Sequence, residues 1–366
     1  MTSGFDIFLA ASNEERRDTF LGASRRLATA AQNIEKDFWV CWTLDALFNR
    51  LPEASPRLLF KGGTSLSKAF GLIFRFSEDI DVTVFRDDIG AGAGVEALEA
   101  MSGKKRQAKL DAIKAACQAY IAGPLQARLA VLLAASLDRA GIADPNVRVE
   151  LDPDDPDRQS LLLWYPNLTG ATGGYIRPAV KIESGAKSAL DPHRIITLTP
   201  YVQSDVQGVD LSAANITVVD AERTFWDKII ILHGLRCWFD RRGVLRGGGQ
   251  RVSRHYYDVY RLLKADLGKA ALNDTALGLD CARHARMFFN STDLNLGSAK
   301  PGTFSLLPSN AMMIELKRDY EAMSGMIFGD VPAFQAVIES VAMLEARVNR
   351  EGQIPPVGPS WPVKKE

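Results

Sequence analysis

Between residues 14 and 51 apolar side chains recur at helical spacing (Phe20, Ala23, Leu27, Ala31, Ile34, Phe38, Trp39, Trp42, Leu44, Leu47), which predicts two helices ahead of the first strand. Leu58-Leu59-Phe60 then reads as a short buried strand ending at Lys61. Gly62-Gly63 interrupt it, and Thr64-Ser65 offer capping hydroxyls to a helix running through Leu66, Ala69, Phe70 and Ile73. The next strand is expected at 80–85. An alanine-rich stretch at 104–140 predicts long helix, and 147–151, 161–165, 177–184 and 216–219 predict strands between turn-rich connections. Past Val219 the spacing is helical almost to residue 350. The expected fold class is therefore α+β: a mixed sheet flanked by helices over 1–215, a helical domain over 216–354, and an extended proline-rich tail at 355–366.

Composition narrows this picture. A chain of 366 residues with 46% hydrophobic content can bury a large core. Lysine plus arginine and aspartate plus glutamate each total 44, which removes any global charge argument for nucleic-acid binding and leaves only local clusters. The stretch at 5–11 is too short for a membrane span and runs into Asn13-Glu14-Glu15-Arg16-Arg17, unlike a signal peptide or anchor; nothing else is expected to approach span length. Cys41, Cys117, Cys237 and Cys281 lie far apart without CxxC spacing, arguing against a zinc site or disulfide scaffold and for a reduced, cytoplasmic protein without a membrane partner. His193, His233 and His284 show no ligand spacing, so a transition-metal site is not expected.

The chemistry concentrates at Lys61-Gly62-Gly63-Thr64-Ser65 and Ser77-Glu78-Asp79-Ile80-Asp81-Val82. On a strand of period two, Asp79 and Asp81 project from one face while Ile80, Val82 and Val84 project from the other. Paired carboxylates call for a cation, and hard oxygen ligands with open positions for a triphosphate are what a protein contributes to a magnesium site. The glycines lack the Cβ atoms that would hold a phosphate away, and a following helix aims free N–H groups at it. The spacing of a Walker P-loop is absent. Either signal alone has an ordinary reading, a strand-to-helix turn or a solvated strand end; their order along one strand–turn–helix–strand unit favours chemistry.

Other residues are open between two readings. Val180-Lys181-Ile182-Glu183 alternates, which makes Glu183 either a third acid or half of an exposed Lys/Glu face. Lys228 lies in a helix apolar on nearly every side and needs a partner, for which Asp227 and Glu222 are near in sequence. Asp258, among Tyr256, Tyr257, Val259 and Tyr260, could serve function or take a tyrosine hydrogen bond in a helical core. Lys36 and Trp39 fall in an aromatic helix and are read as packing. Six arginines at 236–254, broken by Gly247-Gly248-Gly249, accompany only Asp240; they suit phosphate-backbone capture of RNA or a solvated turn.

Taken together, Ile34-Glu35-Lys36-Asp37-Phe38-Trp39-Val40, Lys61 through Lys68, Arg75 through Asp81, Asp227-Lys228 and Arg254-His255-Tyr256-Tyr257-Asp258 resemble the nucleotidyltransferase superfamily. The likeness is closer still to its AbiEii family, the toxins of bacterial abortive-infection and type IV toxin–antitoxin systems, which include the MenT toxins. The interval before Asp79 is slightly longer than in the superfamily at large, and His255 stands where many members carry the second residue of an Arg-Asp pair. The resemblance implies an NTP substrate, magnesium held by Asp79 and Asp81, and nucleotide contacts from Lys61, Gly62, Gly63, Thr64, Ser65 and Ser77. It further implies catalytic roles for Lys228 on the triphosphate, for Asp258, and for Glu183 as the third acid. The implied acceptor is RNA, a tRNA 3′ end, with translation and growth blocked, a cognate antitoxin as partner and phage defence as the setting. Ser77 beside the carboxylates keeps open a protein acceptor, by nucleotidylation or phosphorylation, and a non-catalytic NTP-dependent binding protein is the third reading.

Overall fold

The computed structural model describes residues 3–77, 79–170 and 177–351; the tail expected at 355–366 lies outside them. Two compact units emerge, one of Met1–Thr224 with Gly325–Val331, the other of Phe225–Ser324 with the chain from Pro332 onward.

The first unit is built on a seven-stranded sheet: β1 (Leu58–Lys61), β2 (Asp79–Val84), β3 (Arg148–Leu151), β4 (Ser160–Trp164), β5 (Ala179–Gly185), β6 (His193–Leu198) and β7 (Ala213–Val219), in the order β3-β4-β5-β2-β1-β7-β6. The sheet is mixed, as expected. β2 pairs with β5 and β1 with β7 in parallel, and the remaining neighbours are antiparallel. The periodicity missed β6, an edge strand whose His193, Arg194, Ile195 and Thr197 are all exposed, so no buried face imposes alternation on it.

Around the sheet lie α1 (Gly4–Leu9), α2 (Asn13–Leu27), α3 (Ala31–Asn49), α4 (Gly62–Lys68), α5 (Val95–Glu99), α6 (Gly103–Tyr120) and α7 (Gln126–Arg139). Helix α3 packs on β7, β5 and β2 and is buried on every side from Asn33 to Leu47, with Ile34, Phe38, Trp39, Val40, Trp42 and Leu44 filling the core. Its charged residues each find partners. Glu35 accepts backbone N–H bonds from Leu168 (2.7 Å) and Thr169 (2.9 Å), Lys36 donates to the Arg177 carbonyl (3.3 Å), and Asp37 pairs with Lys68 (2.7 Å) while accepting from Tyr201 N–H (2.6 Å). Lys68 also lies over the Tyr201 ring at 3.7 Å, so the end of α4 is locked to α3 by a buried ion pair. Trp39 stacks on Tyr165 at 5.3 Å, the packing role expected of it.

Two expectations need correction. Helix α4 stops at Lys68 instead of reaching Ile73, because Gly71 takes φ +60° and Leu72 N–H closes back on the Leu66 carbonyl at 2.9 Å. Residues Gly103–Arg139 are continuous helix, long and apolar enough by length and composition to cross a membrane, contrary to the expectation that nothing approaches span length. The run survives Pro124 because that residue sits in a π-helical turn, Ile121–Leu125, which joins α6 to α7. Its buried stripe (Leu110, Ile113, Cys117, Leu129, Leu133) faces protein, with α7 packed on β3, α1 and α3.

A segment from far along the chain completes this unit. Ile327 pairs antiparallel with Arg75, Phe76 N–H donates to the Met326 carbonyl (2.7 Å), and Phe328 N–H donates to that of Phe74 (2.8 Å). The loop between α4 and β2 is thus clasped by residues more than two hundred positions away.

The second unit contains most of α8 (Ala221–Arg242), with α9 (Ser253–Lys264), α10 (Asp266–Ala271), α11 (Thr275–Phe288), α12 (Asn310–Met323) and α13 (Phe334–Glu351). Helix α9 is its centre, packed against α10, α12 and α13 with Tyr256, Tyr257, Asp258, Val259 and Leu262 buried. Trp226 donates its indole N–H to the Ala271 carbonyl (3.0 Å) and rests against Gly278, where an added Cβ would fall 2.9 Å from the indole.

Candidate active site

Strand register sets the chemistry of the first unit. Lys61 on β1 lies opposite Asp81 on β2, which lies opposite Glu183 on β5; one row along, Asp79 lies opposite Lys181. Residues directly opposite one another share a sheet face, so Lys61, Asp79, Asp81, Lys181 and Glu183 all project from the same side. Ile80 and Val82 are fully buried on the other side, and Asp79 and Asp81 remain half-buried. The alternation in the sequence foretold this for Asp79 and Asp81. It could not tell whether Glu183 faced them, and the parallel register of β2 with β5 puts it beside Asp81.

Lys181 is tied on two sides, to Glu183 Oε1 at 2.9 Å and to Asp152 Oδ2 at 3.1 Å. Burial works against its charge, but the hydrogen bonds and charges of Glu183 and Asp152 outweigh that and raise its pKa above the ordinary lysine range.

The glycine turn meets the carboxylates directly. Gly62 has φ +83°, and a Cβ there would fall 2.0 Å from Asp81 Oδ2. A Cβ on Gly63 would fall 2.6 Å from Arg75 Nη2 and 3.3 Å from Ser77 Oγ. Only glycine allows the backbone this close to the acid, the guanidinium and the hydroxyl. Thr64 Oγ1 donates to the Asp79 carbonyl and lies 2.8 Å from Ser77 Oγ, while Ser65 Oγ donates to the Gly62 carbonyl (2.9 Å). Neither caps the helix as expected. The cap position is Lys61 without a side-chain bond, and both hydroxyls are buried inside the turn they stabilise.

Arg75 was visible in the sequence only as part of a motif. The residue is buried, and its guanidinium sits against Gly63 and donates to the Phe76 carbonyl at 3.4 Å. The available signal was a lone cation between Ile73, Phe74 and Phe76, which apolar surroundings would force toward polar partners.

In the second unit Lys228 and Asp258 pair with each other at 2.8 Å, their side chains 6% and 0% exposed. Glu222, one of the partners the sequence offered, reaches Arg194 at 3.3 Å. The basic run at 236–254 is also less bare than its local sequence. Arg236 pairs with Asp240 (2.8 Å), Arg242 and Arg241 with Asp293 (2.6 and 3.6 Å), and Asp319 accepts from the backbone of Arg251 and Ser253. The glycines form a tight turn with Gly247 and Gly248 at positive φ, next to Arg246, whose guanidinium lies 5.6 Å above Trp238.

Residues 45–340 match the family model described as nucleotidyl transferase AbiEii toxin, type IV toxin–antitoxin system. The chain belongs to the AbiEii family. The matched span contains the glycine turn, Asp79, Asp81, Glu183, Lys228 and Asp258, whereas the Ile34-to-Val40 motif lies ahead of it. No curated protein matches the chain. Among solved structures, MenT4, the nucleotidyltransferase toxin Rv2826c of Mycobacterium tuberculosis H37Rv, is similar at 14% identity and TM-score 0.45, covering 92% of this chain and 90% of its own. As an AbiEii member the protein is a nucleotidyltransferase toxin, with an NTP as substrate and an antitoxin as partner, which sets aside the non-catalytic reading.

Proposed function

We propose that this AbiEii toxin transfers a nucleotide from an NTP to an RNA hydroxyl, a tRNA 3′ end, in a magnesium-dependent reaction that blocks translation and growth in the cytoplasm. The observation that carries the reading is the convergence of Asp79, Asp81 and the Gly62-Gly63 backbone, with Gly62 in contact range of the Asp81 carboxylate. Magnesium fits this donor set. Two hard carboxylates project from one strand face beside the glycine turn, the kind of oxygen donor that leaves room for phosphate oxygens on the ion. When bound there, the ion supplies charge neutralisation for the phosphates and the attacking oxygen.

The chain's own residues carry the other tasks. Asp79 and Asp81 would hold the ion, and the turn from Lys61 through Ser65, with Ser77, would admit the triphosphate. Glu183, beside Asp81, takes the proton of the acceptor hydroxyl. That oxygen attacks the α-phosphorus in line, the new O–P bond replaces the α–β bridge, and pyrophosphate leaves. Lys228 and Asp258 enter this reading through their motifs alone, as a triphosphate-contacting cation and its carboxylate. The arginines at 241–254 that project from the second unit are the proposed contacts for RNA phosphates.

Incubation with labelled NTPs, magnesium and total RNA should label tRNA, and Asp79→Ala/Asp81→Ala should abolish labelling and growth inhibition. Unlabelled RNA with the wild-type chain, or full labelling by the double variant, would overturn the reading. A protein acceptor is the second reading, motivated by the Ser77 hydroxyl next to the carboxylate strand, 2.8 Å from Thr64 Oγ1, which itself bonds the Asp79 carbonyl. It predicts a mass increase of the chain, or of its antitoxin, after NTP treatment.

A further inference from the structure

The face that carries Asp79 and Asp81 gathers more charge than two metal ligands require. Asp79, Asp81 and Glu183 occupy adjacent positions on β2 and β5, and like charges this close on one sheet face repel. Glu183 is the member with freedom to leave, since its side chain is 40% exposed. Lys181 opposes that movement from the neighbouring row, bridging Glu183 Oε1 (2.9 Å) and Asp152 Oδ2 (3.1 Å).

Asp152 is a fixed post. Its side chain is 4% exposed, its Oδ1 accepts the Asp154 N–H (3.0 Å), and its own N–H bonds to the Ser160 carbonyl (2.9 Å). Ser160 in turn lies opposite Glu183 in the β4–β5 register. The anchor therefore sits just past the end of β3, tied by its backbone to the sheet that carries the carboxylate it steadies, and Lys181 spans the gap between them.

We propose that Lys181, anchored by Asp152, is a positioning residue that holds the Glu183 carboxylate beside Asp81 and orients it toward the acceptor hydroxyl. The inference rests on the role given to Glu183 above. It assigns Lys181 no contact with the nucleotide, since both of its ion pairs are with protein carboxylates, and so separates it from a phosphate-binding lysine.

The test uses the full chain, with nucleotide transfer to RNA measured as a function of NTP concentration. Lys181→Met should lower kcat by about 10- to 100-fold while KM for NTP stays within about twofold, as expected for a misplaced reacting group. Lys181→Arg should recover most of the loss, and Asp152→Asn should show a smaller loss with the same pattern. In a Glu183→Gln background, Lys181→Met should cost under about twofold more, because the two residues act as one unit. Thermal melts of each variant separate these effects from unfolding.

Three outcomes overturn the proposal: a raised KM at unchanged kcat, which marks a direct phosphate contact; losses that multiply in the double variant; or wild-type rates in Glu183→Gln. In each of these the carboxylate reading survives so long as Asp79→Ala/Asp81→Ala is inactive. If the wild-type chain transfers no nucleotide at all, both fall together.

Discussion

At Gly62 the backbone runs at φ +83°, and a methyl group built there would lie 2.0 Å from Asp81 Oδ2. Gly62→Ala therefore carries a left-handed strain of about 1–2 kcal/mol and also pushes a proposed metal ligand out of place. Transfer activity should fall by about 100-fold or more with only a modest drop in Tm. Gly63→Ala is the contrasting case. Its Cβ meets the far end of the Arg75 side chain, which can shift, and Gly63 is not in the left-handed region, so the loss should be smaller. Parallel rate measurements and melts check this, and equal losses at the two glycines would contradict it.

Between elements, the buried ion pair of Lys228 and Asp258 ties α8 to α9 in the core of the second unit. Lys228→Met removes the cation from a fully buried carboxylate and should destabilise the protein by about 3–5 kcal/mol, read as a lower denaturant midpoint. Lys228→Met/Asp258→Leu should regain much of that stability while remaining inactive, which separates packing from the proposed chemistry. His233 makes a second tie from α8: its Nδ1 accepts the Ser305 N–H (3.0 Å), so Nε2 carries the proton and donates to the Asn295 carbonyl (3.2 Å). Burial lowers its pKa, against the opposing pull of that carbonyl and Glu345. The unfolded chain then binds the proton more readily than the folded one. The stability His233 contributes is present above the ordinary histidine value of about 6.5 and is lost as pH falls below it. Tm measured from pH 7.5 to 5 should decline, and His233→Gln should flatten the slope in that window.

For the molecule as a whole, equal numbers of acidic and basic residues leave no net charge to drive the proposed RNA binding, so on that reading affinity would depend on local arginines and should weaken steeply with salt. Ligand linkage gives a reading independent of turnover. An NTP with magnesium at about 100 times its Kd should stabilise the folded chain by about 2.7 kcal/mol and raise Tm by several degrees. Chelator should cancel the shift, and Asp79→Ala/Asp81→Ala should show none. Comparing the four NTPs in the same assay reports the preferred base.

The sequence by itself determined what short-range periodicity can encode: which faces of β2 bear carboxylate and which bear apolar side chains, where Gly62-Gly63 must turn, that Trp39 serves packing in an aromatic helix, and that the chain becomes helical after β7. These follow from geometry repeated every two or 3.6 residues, so neighbours in sequence suffice to read them. Only the tertiary structure decided that Glu183 stands beside Asp81, that Asp152 anchors Lys181, that Lys228 meets Asp258, and that Met326 and Phe328 clasp the loop bearing Arg75. Each of those depends on register or packing between segments distant in sequence, where any of several partners would satisfy the same buried charge or open backbone group. The choice among them is made by the fold as a whole.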